Sequence, residues 1–344
     1  MGDTAEVSIE GEVVRTRLWR DGVVALDDFP LADLSEHRLD PTALLWVDLC
    51  RPGAAMMERL SEELGLNAHE REDAIAPGER PRATRRGGQM FVTVYDTDFS
   101  RPDADELEAM DSRLRRSRVS IFVLPDGIVT IRPDDGVDMQ AVIERWEQEG
   151  DLLRFGSAAL LHGLLDVIVD GHQAVADRFD DRVEDLEDML FAQNSDTRKV
   201  QELNYRVRKE LVEFRRVVTP MREVLTAIMR YRIESGRLPE LDASYEDLND
   251  HVVHVGESTE SLREIIASIF ETNLALQDAR LNTVMKKLTG WAAIIAVPTA
   301  ITGWYGQNVP YPGSDQVWGL IMSAATIFVL AVGLFVLFRR KDWI

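Results

Sequence analysis

The chain has 344 residues, of which 60 are Asp or Glu and 39 are Lys or Arg, giving a formal net charge of -21. An excess of acid on this scale argues against a nucleic-acid partner, because it repels a phosphate backbone. The single cysteine, Cys50, excludes an internal disulfide framework and fits a reducing compartment.

The opening MGDTAEVSIE is acidic and has no apolar stretch, so no cleavable leader is expected and the first 287 residues are expected to stay cytoplasmic. Strands are predicted at 22–28 (GVVALDD), 43–50 (ALLWVDLC), 89–99 (QMFVTVYDTDF) and 118–133 (RVSIFVLPDGIVTIRP), the last folding at its Pro-Asp-Gly turn. Helical stretches such as AAMMERLSEELGL (54–66) separate them, so residues 1–156 read as a cytoplasmic α/β domain. From Ser157 the pattern is helical, with breaks at QNSDT (193–197) and SGRLPELDA (235–243), and residues 157–287 read as a cytoplasmic helical stalk. The acidic run DRFDDRVEDLEDML (177–190) reads as a solvated helix face, with local enrichment of cations as the alternative.

Between Pro239 and Pro298 there is no proline, and Leu248, Val252, Val255, Leu262, Ile266, Ile269 and Leu276 recur at heptad-like spacing around polar Thr259 and Asn273. One helix of about 60 residues, about 90 Å long at a 1.5 Å rise, is therefore predicted. It runs into Leu288–Tyr305, which holds no charged residue, and Val317–Phe338 holds none either. Both are long enough to cross a bilayer, so residues 288–344 read as two transmembrane helices joined by a short external loop. Lys286 and Lys287 precede the first, Arg339, Arg340 and Lys341 follow the second, and the loop has no Lys or Arg. The positive-inside rule then places both termini in the cytoplasm. Two membrane helices per chain cannot enclose a pore, so transport would demand a homo-oligomer.

The loop TGWYGQNVPYPGSDQ (302–316) carries one charge, Asp315, and begins beside Trp304 and Tyr305, with Tyr311 further on, all suited to a membrane interface. Gly306 lets the backbone leave the helix, and Asn308 adds a neutral amide. Leading up to it, Asn282, Met285, Thr289, Ala292, Ala296, Thr299 and Gly303 share one helical face and are polar, small or flexible. That face reads either as a pore lining or as a packing seam between membrane helices. Pro298 frees the carbonyl of Ile294, which a wetted pore would satisfy.

Taken together, REDAIAPGERPR (71–82), RVRKELVEFRRVVTPMREVLTAI (206–228), LNTVMKKLT (281–289), YGQN (305–308) and the terminal RRKDWI resemble the CorA family of divalent-cation channels, which includes ZntB-type zinc transporters. The resemblance spans nearly all of the chain. It implies an α+β membrane protein assembled as a funnel-shaped homopentamer. It also implies a selectivity filter at Gly306, Gln307 and Asn308, the last in a ring that binds a hydrated cation. The family signature is Gly-Met-Asn, and Gln307 departs from it, as ZntB-type relatives also vary there. Glu72, Asp73 and Asp247 match acidic residues that bind a regulatory Mg²⁺ across the subunit interface, with Asp250 and His251 close enough to contribute. The basic residues near 339–341 match a positive belt at the inner mouth.

Mg²⁺ dehydrates reluctantly, so a first contact through neutral oxygens suits it, whereas Zn²⁺ favours Cys and His, which the stripe and the loop lack. His251 and His254, three apart, have too few further soft ligands for a zinc site. No Gly-x-x-x-x-Gly-Lys-[Ser/Thr] pattern occurs, and an inside-negative potential alone gives a divalent ion about 4.6 kcal/mol per 100 mV. The leading expectation is a passive Mg²⁺ channel, also admitting Co²⁺ or Ni²⁺ and gated by cytoplasmic Mg²⁺ as a regulatory ligand, with no organic cofactor. A ZntB-like Zn²⁺ importer, perhaps proton-coupled, and a non-conducting membrane-anchored sensor or scaffold are the alternatives. Enzymatic readings fail, since neither HExxH nor a nucleophile-base arrangement is apparent.

Overall fold

A computed structural model describes residues 13–86, 88–99, 114–192, 197–235, 239–307, 310, 312–313 and 316–344. The chain divides into two compact units, Met1–Ala267 and Ser268–Ile344.

In the first unit, seven described strands form one sheet: β1 (Val13–Arg20), β2 (Val23–Asp27), β3 (Ala43–Cys50), β4 (Arg82–Arg86), β5 (Gln89–Phe99), β6 (Leu114–Leu124) and β7 (Gly127–Arg132), in the order β2-β1-β3-β7-β6-β5-β4. Every pairing is antiparallel except β3 with β7. The central strands are apolar on both faces, which is why they read as continuous runs rather than as alternation. Phe91, Phe122, Val47 and Val129 point to one side, where α2 (Ala54–Leu64) and α3 (Ala68–Ile75) add Met57, Leu60, Leu64 and Ala74. Val92, Ile121 and Trp46 point to the other, against α4 (Met139–Gln148), α5 (Ser157–Phe191), α7 (Met221–Ser235) and the start of α8 (Pro239–Tyr305). The four-residue α1 (Leu34–His37) precedes β3, and α6 (Thr197–Val218) joins α5 to α7.

β6 and β7 are joined by the Pro125–Asp126 turn expected from the sequence. Gly127 is fixed there by space, because a β-carbon on it would lie 2.0 Å from the Leu45 carbonyl oxygen. The parallel β3–β7 pair also holds a fully buried ion pair: Arg132 Nη2 and Nε donate to Asp48 at 2.7 and 3.0 Å, and the Thr130 hydroxyl donates to Asp48 at 2.7 Å. Such a pair is tolerable only because its oxygens and protons find partners.

Two strands lay outside the sequence reading. β1 carries Arg15 and Arg17 among its apolar residues, and Arg17 is buried by pairing with Asp27 and Glu147, both at 2.8 Å. β4, RATRR, is an edge strand whose charge suits its single neighbour. The break read at 235–243 is shorter than expected, because Pro239 already opens α8; proline is favoured at a first helical position.

On α8, Leu248, Val252, Val255, Thr259, Leu262 and Ile266 are all buried, as the heptad spacing requires. Thr259 turns its hydroxyl onto its own helix at Val255 O (2.7 Å), and Asn204 on α6 donates to Ile266 O at 3.3 Å. In the second unit the same spacing continues through buried Ile269 and Asn273. That unit holds the rest of α8 and α9 (Val317–Arg340), both long and apolar enough to span a membrane.

Candidate ion pathway and cation-binding sites

Within the second unit, α9 covers only one side of α8. Gly290 is buried against Ile344 and Phe338, and the Trp291 and Phe335 rings lie 6.4 Å apart. Ala293, Ile294, Val297, Pro298, Ile301 and Tyr305 are half-buried, recurring at about four residues on this side. Asn282, Met285, Thr289, Ala292, Ala296, Thr299 and Gly303 are all exposed, and at about 100° per residue they lie on the far side of the helix from α9. The stripe therefore remains uncovered by its own chain. Thr299 and Thr302 turn their hydroxyls onto Ile295 O (3.0 Å) and Pro298 O (2.8 Å) of their own helix, which continues through the proline to Tyr305. α9 is exposed along most of its apolar length, including Leu320, Phe328 and Val329, as a lipid-facing helix would be.

α8 ends at Tyr305, immediately before the Gly-Gln-Asn triplet. The Gly306 N–H bonds Thr302 O at 2.8 Å, and the Gln307 N–H bonds Trp304 O at 3.3 Å in a tighter last turn. A β-carbon on Gly306 would sit close to Thr302 O, at 3.0 Å, so a larger residue here would be tightly placed. Asn308, Tyr311 and Asp315 lie outside the described residues. The contact of Ile344 with Gly290 brings the chain's last residues beside the start of the membrane segment, so Arg339, Arg340 and Lys341 share an end of the hairpin with Lys286 and Lys287.

In the first unit the expected acidic residues sit on separate elements. Asp73, on α3, pairs with Arg82 at 2.5 Å, and its neighbour Glu72 is exposed. Asp247 and Asp250 are exposed on α8. Two residues before Glu72 on α3, Glu70 is buried with neither carboxylate oxygen hydrogen-bonded, and burial pushes its pKa up. Along 177–190, Phe179, Val183, Leu186 and Leu190 are buried while the acids around them are exposed, a solvated face with an apolar underside.

The one group of three potential metal ligands found among the described residues was only half anticipated. Asp166 and Asp170, one turn apart on α5, meet His251 of α8 with ligand atoms within 4.8 Å of one another. Asp166 is buried, and burial raises its pKa even though Arg145 of α4 opposes the shift. Arg145 bonds Asp166 through Nη1 and Asp170 through Nη2, the latter at 2.7 Å. Beside them His162, one turn before Asp166, bonds Ser244 O through Nε2 at 3.2 Å; its Nδ1 faces Glu149 at 3.5 Å with no hydrogen-bond partner. The signal available in the sequence was two aspartates spaced by four in the otherwise apolar LLDVIVDG. His254 is exposed and outside the group.

A model of the CorA family, described as a CorA-like Mg²⁺ transporter protein, matches residues 42–340. The chain belongs to the CorA family. The cobalt/magnesium transport protein CorA of Thermotoga maritima is 26% identical over 294 residues, covering 84% of this chain and 80% of that protein. The solved CorA magnesium transporter of Methanocaldococcus jannaschii shares the fold, with a TM-score of 0.73 at 24% identity, covering 96% of this chain and 99% of that one. The zinc transport protein ZntB of Pectobacterium carotovorum is 24% identical over 273 residues, 77% of each chain. CorA proteins are divalent-metal transporters rather than enzymes, and the soluble α/β domain, the long helix and the two apolar C-terminal helices are the family architecture. The two apolar helices fit the inner-membrane setting of that family.

Proposed function

We propose that this CorA-family chain forms a homopentameric channel for hydrated Mg²⁺, with both termini in the cytoplasm and entry driven by membrane potential. The observation that carries the reading is the exposed stripe from Asn282 to Gly303, which α9 leaves uncovered and which ends at Gly306 and Gln307. Within the membrane run, lipid would be a poor neighbour for Thr289 and Thr299, whereas copies of the same helix around an axis would line a wetted path with them, with Asn282 on the same face at its cytoplasmic approach. Asn308 is assigned to the outer ring. The stripe offers neutral oxygens and no Cys or His, which suits an ion that keeps its waters. Co²⁺ and Ni²⁺ are expected to pass as well.

Gating is assigned to internal Mg²⁺ binding at two places. Glu72 and Asp73 of one subunit would meet Asp247 and Asp250 of the next. Within a subunit, Asp166, Asp170 and His251 offer two carboxylates and an imidazole, a set compatible with Mg²⁺ and better suited to Co²⁺. Arg145 holds the two carboxylates in the meantime, so an arriving ion must displace it. The imidazole and the similarity to ZntB favour a second reading, a Zn²⁺ importer coupled to protons.

Flux into proteoliposomes separates these, measured for Mg²⁺ and Zn²⁺ with and without a pH gradient, on the parent chain and Asn308→Ala. Potential-driven Mg²⁺ uptake abolished by the substitution is the expected result. Zn²⁺ uptake that rises with the proton gradient would move the chain to the second reading. Absence of flux for both ions would leave a membrane-anchored sensor.

A further inference from the structure

An open cleft of about 900 Å³ in the first unit reverses the sign of the rest of the chain. Against a net charge of -21, its wall contains Arg80, Arg116, Arg215 and Arg216 and a single acid, Glu79. Glu79 is turned to Arg82 at 3.5 Å, and Arg215 is held by Glu260 at 2.5 Å. Arg116 has Glu213 only at 4.0 Å. Arg80 and Arg216 are exposed, with no hydrogen bond or ion pair to an acidic residue among the described residues. Two guanidinium groups are thus uncommitted and a third is loosely held.

The wall is also built to keep its shape. Buried Arg118 on β6 donates to the carbonyls of Ala74 and Ala76 at the end of α3, the first at 2.8 Å, and Ser120 adds a bond to Ala74 O at 3.3 Å. Those bonds tie down the start of the turn that carries Arg80. Further along, the Tyr95 hydroxyl donates to Glu79 O at 2.5 Å. On the opposite wall Arg215 and Arg216 lie in the last turn of α6, and Thr219 and Pro220 lead into α7. Exposed Val212, with Val217 and Pro220, gives this wall an apolar strip beside the cations.

From this arrangement we infer that the cleft binds a polyphosphate anion of two or three phosphoryl groups, the class that includes nucleoside triphosphates. Arginine forks match phosphate oxygens in pairs, and several converging on one cleft favour a ligand that spreads its charge over successive phosphoryl groups. The apolar strip would seat a nucleoside if one is attached. The cleft does not include Asp73, although Arg82 pairs with both Asp73 and the lining residue Glu79; it shares no residue with the group on α5 and α8 and does not depend on the chain conducting ions.

The test is equilibrium binding of inorganic tripolyphosphate and of ATP to the full-length protein in detergent, in metal-depleted buffer so that neither ligand arrives through a bound cation. Ionic strength is held at about 0.1 M, where exposed charges more than about 10 Å apart are largely screened. Saturable binding of tripolyphosphate is expected, weakened by about tenfold in Arg80→Gln or Arg216→Gln and by about a hundredfold in the double variant. Arg178→Gln, which removes a cation that is not in the cleft wall and is paired with Asp98 at 3.0 Å, is expected to leave affinity unchanged. Equal affinity for ATP and tripolyphosphate would assign recognition to the phosphate chain, and tighter ATP binding would add the nucleoside on the strip. Lack of saturable binding, parental affinity in the double variant, or an equal loss in Arg178→Gln would overturn the proposal.

Discussion

Replacing Arg145 with Gln tests whether Asp166, Asp170 and His251 hold a divalent cation. The guanidinium bonds both carboxylates, and Asp166 is buried, so the substitution leaves a desolvated carboxyl group without its counter-charge. Breaking a fully buried pair costs about 3–5 kcal/mol, and because Asp170 is half-exposed and can relax into water, about 2–3 kcal/mol is the fitting range here. For a folded unit of this size that corresponds to a fall in melting temperature of roughly 5–10 °C. A divalent ion that takes the place of the guanidinium restores stability by RT ln(1 + [L]/Kd), about 2.7 kcal/mol at a hundredfold excess over Kd. The assay is thermal unfolding of the purified full chain followed by near-ultraviolet circular dichroism, with Mg²⁺ or Co²⁺ titrated. The variant should melt low without divalent ion and regain most of the loss with it, responding at a lower ion concentration than the parent. A loss that neither ion restores, or a parent and variant with the same ion response, refutes the assignment.

Burial raises the pKa of Asp96 on β5 to about 7, with Asp98 and Asp138 adding to the shift and the Thr97 N–H, 2.8 Å from Oδ1, opposing it. The folded chain thus holds a proton that the unfolded chain releases near pH 4, so this group's contribution is present at low pH and is lost as pH rises to about 7. Asp96→Asn should abolish that dependence and stabilise the protein at pH 8 by on the order of 2–4 kcal/mol, read from denaturant unfolding across pH. Asp48→Ala strands the buried Arg132 and should cost about 3–5 kcal/mol in the same measurement. Ala296→Leu puts bulk on the exposed stripe and should reduce Mg²⁺ flux at least tenfold with the oligomer intact by size-exclusion chromatography, while Val329→Leu on exposed α9 should not change flux.

Much of this architecture could be read from the residues because its signals are local. Uncharged runs, flanking lysines and arginines, and a heptad spacing that correctly included polar Thr259 and Asn273 in the seam each depend on residues within a few turns of one another. β1 and β4 escaped because their arginines hide the strand pattern, and only the fold shows that Arg17 is buried against Asp27 and Glu147. The Asp166–Asp170–His251 group escaped for a related reason: its two halves are about eighty residues apart and meet only where α5 packs near α8. Glu72 and Asp73 lie on α3 and Asp247 and Asp250 on α8, so no spacing within a single element could have joined them in the sequence.

The parallel contact of β3 with β7 has a consequence for how this chain reaches its fold. β5, β6 and β7 are neighbours in sequence as well as in the sheet, and so are β1, β2 and β3, whereas the β3–β7 contact joins strands that begin some eighty residues apart. Loop closure of that length is slow to recover its entropy, so the meander is the natural nucleus and β3 docks afterwards. The fit of Gly127 under Leu45 and the Asp48–Arg132 pair then form on the native side of the barrier. Damage there should leave the rate of folding nearly unchanged and let the finished protein come apart faster.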